Sequence, residues 1–185
     1  MPTPLRRSLP ITGVAVMMTG ALAMAQTHAT PAPRVRPETM EAAQLLGDLV
    51  DRSATGRGLL EALNAADVVV YIRHRTFTAT TLDGRIGFVR SSEPTRMLIV
   101  EIACPRRWTE QLVTLGHELQ HAVEIAAARG VADPRSLAEH FGRIGMRMGG
   151  TQDGATFETV RAQQVAAQIR QELLGTTART THDRH

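Results

Sequence analysis

The sequence contains no lysine. All 21 of its basic residues are arginine, set against 18 Asp and Glu, for a formal charge of +3. The pI near 10.3 is therefore a poor guide to partners. With little titrating between His and Arg, a small positive excess drives the pI high. No long basic run is present, so nucleic acid is not expected as a partner. A lone Cys104 excludes an intrachain disulfide and any cysteine-rich zinc finger. Aromatic residues make up only 3%, so the core must be built from aliphatic side chains. At 185 residues, 43% hydrophobic and 21% charged, the chain fits one folded domain with short tails. Those values exclude a wholly disordered chain and a multi-span membrane protein.

The N-terminus reads as an address. Arg6 and Arg7 precede a small-and-apolar stretch over residues 11–25, which ends in Ala23-Met24-Ala25. This is a basic start, an apolar segment and a small-x-small cleavage site, the pattern of a secretory signal. The stretch is shorter than the ~20 residues a spanning helix needs. We expect a signal over 1–25 and export to the periplasm or beyond, with no stable membrane span after cleavage. The Arg6-Arg7 pair hints at twin-arginine export, although Ser8-Leu9-Pro10 fits that motif loosely. Removing the signal leaves 19 Arg against 18 acids, or +1, and the basicity disappears.

Residues 26–37 hold Pro31, Pro33 and Pro37 and read as a linker. From Glu38, Met40, Ala43, Leu46, Leu49 and Val50 recur at helical spacing. A second short helix is expected over 56–64. The β-branched run Val68-Val69-Val70-Tyr71-Ile72 predicts a strand, and 85–90 and 97–103 predict two more. Asp83-Gly84 reads as a turn, and Pro105 ends the third strand. A long helix is expected over 107–128, stopped by Arg129-Gly130 with Gly130 as a left-handed cap. Another helix begins at Ser136, where Ser136-Leu137-Ala138-Glu139 reads as a capping box. The last helix is expected over 156–174, followed by a loose tail over 176–185. The fold class is α+β: a small, mainly antiparallel sheet packed on a buried helix and further helices, in one domain over 38–175.

The long helix carries the chemistry. His117-Glu118-Leu119-Gln120-His121 is H-E-x-x-H. Residues i and i+4 share a helix face, so both imidazoles can reach one zinc ion. Glu118 stands about 100° round from His117, within reach of a water beside that ion. A chain of this composition shows the pattern by chance at about 1–2%. The flanking Leu112, Val113, Leu115, Leu119, Ile125 and Ala126 make the helix apolar on most sides, hence buried. Two His and a Glu buried there need polar partners, and a metal supplies one.

The run Thr114-Leu115-Gly116-His117-Glu118-Leu119-Gln120-His121-Ala122-Val123 resembles the signature of the zincin metallopeptidases. The order of strands, active-site helix and further helices is similar to a minimal zincin core. The resemblance implies His117 and His121 as zinc ligands and Glu118 as the catalytic base. Metzincins continue with a Gly and a third His, but Glu124 and Ala127 occupy those places here. Gluzincins instead take a Glu from a later helix, and Glu124, Glu139, Glu158 and Glu172 are the candidates. Glu139 has a capping role to explain it, and Glu172 sits too far along its helix. Glu158 lies four residues before Ala162 on the stripe Ala162, Val165, Ile169, Leu173, which places a carboxylate on a buried face. It is the favoured third ligand. Glu124 shares the metal face of its own helix, where three ligands can hardly surround one ion. A supporting role is favoured for it, with direct ligation as the alternative. The Asp that many gluzincins carry four residues after the ligand Glu is Ala162 here.

Tyr71 and His140 are candidates to stabilise an oxyanion. The expected protein is an exported zinc metallopeptidase with one Zn²⁺ per chain, acting on peptides or proteins. A substrate could align as an added strand on 83–90 or 97–103. The alternative is a non-enzymatic, zinc-stabilised binding or assembly module of the cell envelope. Oligomeric state is not legible.

Overall fold

A computed structural model describes residues 32–78, 81–92, 95–151 and 154–182, with side chains left out over 149–155 and beyond 175. The expected signal over 1–25 and the first part of the linker lie outside the described residues. The elements run β1 (Val35–Pro37), α1 (Met40–Arg52), α2 (Ala54–Asn64), β2 (Val68–Arg75), β3 (Gly84–Ser92) and β4 (Thr95–Ala103). They continue with α3 (Trp108–Ala127), α4 (Pro134–Ile144), β5 (Met146–Thr151), β6 (Gly154–Glu158) and α5 (Val160–His182). The class is α+β, as expected.

The main sheet has the order β1-β2-β4-β3. It is mixed rather than mainly antiparallel. β1–β2 and β2–β4 are parallel, and only β3–β4 is antiparallel. The expected linker thus contributes a strand. Its parallel pairing follows from the α1–α2 crossover, since parallel neighbours need a long connection. Segment 97–103 lies in β4, paired on both sides, while 83–90 lies mostly in the edge strand β3. β5 and β6 form a separate antiparallel hairpin that was not expected.

Period-two alternation sorts the sheet residues. Val68, Val70 and Ile72 of β2, with Leu98, Val100 and Ile102 of β4, are buried in the core shared with the helices. Tyr71, Arg73, Ile99 and Glu101 point to the opposite face. In α1 the buried residues are Ala42, Leu45 and Leu49, not the expected set, and Met40 is 88% exposed. Thr39 caps the helix through Ala42 N–H and fixes that rotation. In α5 the expected stripe Ala162, Val165, Ile169 and Leu173 is buried throughout. α5 begins at Val160, later than expected, and runs through the expected tail to His182.

α3 is buried on most sides, as its composition requires. Gly116 lets it approach α5, since a β-carbon there would run into Ile169 Cδ1. The stop signal works differently from expectation. Gly130 does not take the left-handed conformation, and the helix ends at Ala127. The buried Arg96 of β4 donates to the carbonyls of Ile125, Ala126 and Ala128 at 2.8–3.0 Å, and to Asp67 at 2.6 Å. A cation thus satisfies the last turn from another element. α4 starts with Asp133 as its cap, in a box formed with Ser136. Glu139 is therefore not a capping residue, and pairs with Arg135 at 3.0 Å.

Candidate metal centre

Helical spacing places His117 and His121 one above the other on α3. Their Nε2 atoms converge to 3.2 Å, and Glu158 Oε1 lies 3.4 Å from His117 Nε2 and 3.9 Å from His121 Nε2. Among the described residues these three form a group of potential ligands whose atoms all lie within 4.8 Å of one another. Donors on a tetrahedral zinc with bonds of about 2.0–2.1 Å sit about 3.3–3.4 Å apart. The observed separations fit such an ion, with only Glu158 needing a small shift.

Glu158 reaches the site from an unexpected place. It ends strand β6, one residue before Thr159 caps α5 by accepting from Ala162 N–H at 3.1 Å. The helical argument for Glu158 was therefore wrong in its geometry, although the residue does join the two histidines. The site faces a cleft of about 950 Å³, walled by α3, β3, α4 and the end of β6.

Glu124 lies on the other edge of the His121 ring. It accepts from His121 Nδ1 at 3.0 Å, from Thr159 Oγ1 at 2.9 Å and from Gln120 Nε2 at 3.4 Å. The Nδ1 proton is thereby fixed, and Nε2 is left to face His117 and Glu158. These hydrogen bonds outweigh the effect of burial and hold the Glu124 pKa below the usual carboxylate range.

The imidazoles differ in the same sense. Burial, then the neighbouring His121, pushes His117 down to about 4. Burial also opposes charge on His121, but the Glu124 hydrogen bond and the nearby carboxylates prevail and raise its pKa. The pair therefore takes its first proton on His121. Burial raises Glu158. It also pushes Glu118 up to about 7, against the opposing charge of His121.

Glu118 is buried, lines the cleft and makes no hydrogen bond to the described residues. Strand β3 passes close above it. A β-carbon at Gly84 would lie 2.5 Å from Thr114 Cγ2 and 3.0 Å from Glu118 Oε1, so only glycine fits there. Asp83-Gly84 was expected as a turn, and the close approach was not foreseen.

The other candidates lie elsewhere. Tyr71 is on the sheet face away from α3, and neither Tyr71 nor His140 lines the cleft. His140 instead has a buried Nε2 without a hydrogen-bond partner among the described residues, and its ring lies 5.5 Å from that of Phe141. Glu172 accepts from Ser53 Oγ, Thr55 N–H and Thr55 Oγ1, tying α5 to the start of α2. Cys104 is half-buried just after β4. No helix among the described residues is long and apolar enough to cross a membrane.

No protein family, curated protein or solved structure matches this chain.

Proposed function

We propose that the chain is an exported zinc-dependent metallopeptidase of the gluzincin kind. His117, His121 and Glu158 would hold the ion, and Glu118 would serve as general base. The observation that carries this reading is the convergence of two Nε2 atoms and a carboxylate oxygen at 3.2–3.9 Å. A buried Glu118, without a hydrogen bond to the described residues, stands in the same cleft. Zinc bound there would polarise a peptide carbonyl and acidify a water. Glu118 takes a proton from the attacking water on its carboxylate and returns it to the leaving amine. Glu124 keeps His121 in the tautomer that offers Nε2. The edge strand β3 offers backbone N–H and C=O groups to an extended peptide.

One observation favours the second reading, a zinc-stabilised envelope module without activity. Neither of the residues expected to stabilise an oxyanion faces the cleft. One experiment separates the two. Residues 26–185 are assayed for zinc per chain and for hydrolysis of a mixed peptide pool. The peptidase reading expects one zinc, lost in His121→Ala and Glu158→Ala. Glu118→Gln should keep the zinc and lose activity by about 10²–10⁴-fold. Zinc without Glu118-dependent hydrolysis supports the module. A parent chain without tightly bound zinc sinks both.

A further inference from the structure

The cleft continues past Glu118 to a group of charges on the other side of β3. Glu101 of β4 is the centre, with its side chain 2% exposed. Arg73 reaches it through Nε at 2.9 Å and Nη2 at 2.6 Å, Arg75 through Nη1 at 3.0 Å, and Arg85 through Nε. Among the described residues, three guanidiniums share one carboxylate. Phe77 holds two of them in place, with Arg75 and Arg85 at 5.8 and 5.6 Å from its ring centroid. The guanidiniums remain partly open, at 42%, 40% and 28% side-chain exposure for Arg73, Arg75 and Arg85. A guanidinium carries five N–H donors, and Glu101 occupies only part of those of Arg73 and Arg75. Arg73, Arg85 and Glu101 line the same cleft as His117 and Glu118.

Strand geometry connects the two ends. Gly84 sits against Glu118 on the α3 face, so the next residue, Arg85, points to the opposite face. A peptide added along the edge of β3 alternates in the same way. A side chain paired beside Arg85 lies about 4.5–5.5 Å from it, Cβ to Cβ. Its chain neighbours turn toward Glu118.

We propose that the cleft selects peptides bearing an acidic side chain at the residue that pairs beside Arg85, next to the residue facing Glu118. Arg85 lies nearest that carboxylate, and Arg73 and Arg75, which share with Arg85 the single negative charge of Glu101, add to the positive field from the strands behind it. The inference rests on the peptidase reading for its substrate and deepens it.

The test uses zinc-loaded residues 26–185 and peptides identical except for Glu, Gln or Lys at one position, scanned along the chain. At the matching position kcat/KM should fall about ten-fold from Glu to Gln and again to Lys. Arg73→Gln removes one charge from that field and should shrink the Glu-to-Gln ratio about two- to three-fold. Arg73→Lys keeps the charge, retains most of the preference and controls for folding. A second arm measures binding of the same labelled peptides to Glu118→Ala by fluorescence anisotropy. Cleavage with no charge preference at any position overturns this inference and leaves the peptidase reading intact. If no peptide is cleaved, the peptidase reading fails and the binding arm decides. Tighter, Arg73-dependent binding of the Glu peptide then supports the acidic subsite, and equal binding overturns it.

Discussion

Replacing Glu124 with Ala tests the logic of the site without any assay of activity. The Glu124 carboxylate accepts from His121 at 3.0 Å and from Thr159 at 2.9 Å. Its removal frees the His121 ring to turn and to exchange tautomers. It also removes the tie between α3 and the residue that follows Glu158. Losing the outer partner of one ligating histidine lowers metal affinity about 10–100-fold, or about 1.4–2.7 kcal/mol. Two of the three donors depend on Glu124 here, which places the expected loss near the upper end. Glu124→Gln keeps a neutral acceptor for His121 Nδ1 and should lose only about three- to ten-fold. The assay is competition for zinc against a chromophoric chelator at neutral pH. Affinity of Glu124→Ala within about two-fold of the parent would refute the reasoning. Complete loss of zinc in Glu124→Ala, with retention in Glu158→Ala, would make Glu124 the third ligand.

Two further predictions concern packing and charge. Gly116→Ala should cost about 1–3 kcal/mol by overpacking, because its new β-carbon meets Ile169 Cδ1. Ile169→Val removes that methyl and should recover most of the loss, and strictly additive costs in urea melts would sink this account. Glu101 is also expected to support stability in a pH-dependent way. Burial alone would raise its pKa, but Arg73, Arg85 and Arg75 bring it from 4.5 down to about 2. Because the folded value is depressed, the contribution is present above pH 4.5 and fades as pH falls toward about 2. The full shift corresponds to roughly 3 kcal/mol, and partial solvation of the guanidiniums reduces it to about 1–2 kcal/mol. The gap between parent and Glu101→Gln in denaturant melts should narrow over that window, and a gap independent of pH would count against the charge argument.

The parts legible in the sequence are those in which one element carries its own signal. H-E-x-x-H declares its face of α3 without reference to the rest of the chain. The α5 stripe does the same, and all four of its expected residues are buried. Signals that depend on a partner were missed or misplaced. Met40 looks like a core residue by spacing, but Thr39 caps the helix and leaves Met40 exposed. Val35–Pro37 becomes a strand only because β2 offers it a parallel edge. The hairpin at Met146–Glu158 did leave a signal, Asp153-Gly154 between the short alternations Met146-Arg147-Met148 and Ala155-Thr156-Phe157-Glu158, but the run of glycines and the brief arms let it be read as the approach to a helix. Arg96 caps α3 through carbonyls some 30 residues away in sequence, and no local pattern marks a buried cation of that kind.

Glu158 shows why a correct residue can rest on an incorrect argument. Counting back from Ala162 assumed that α5 continued through it. Instead Glu158 pairs with Met146 at the end of the hairpin, and Thr159 takes over as helix cap. Its backbone is pinned from the other side by Gly145, where a β-carbon would lie 2.7 Å from the Glu158 carbonyl oxygen. The difference has a chemical consequence. Donors at positions i, i+4 and i+7 of one helix lie in a row and cannot surround an ion. A donor delivered by a strand end meets that row from outside the helix. Glu124, the i+7 residue, is then left free to accept from the far edge of His121. Its bond to Thr159 joins the helix that carries the histidines to the segment that carries Glu158. The arrangement of the three donors therefore depends on the hairpin and the Glu124–Thr159 joint as much as on the H-E-x-x-H turn itself.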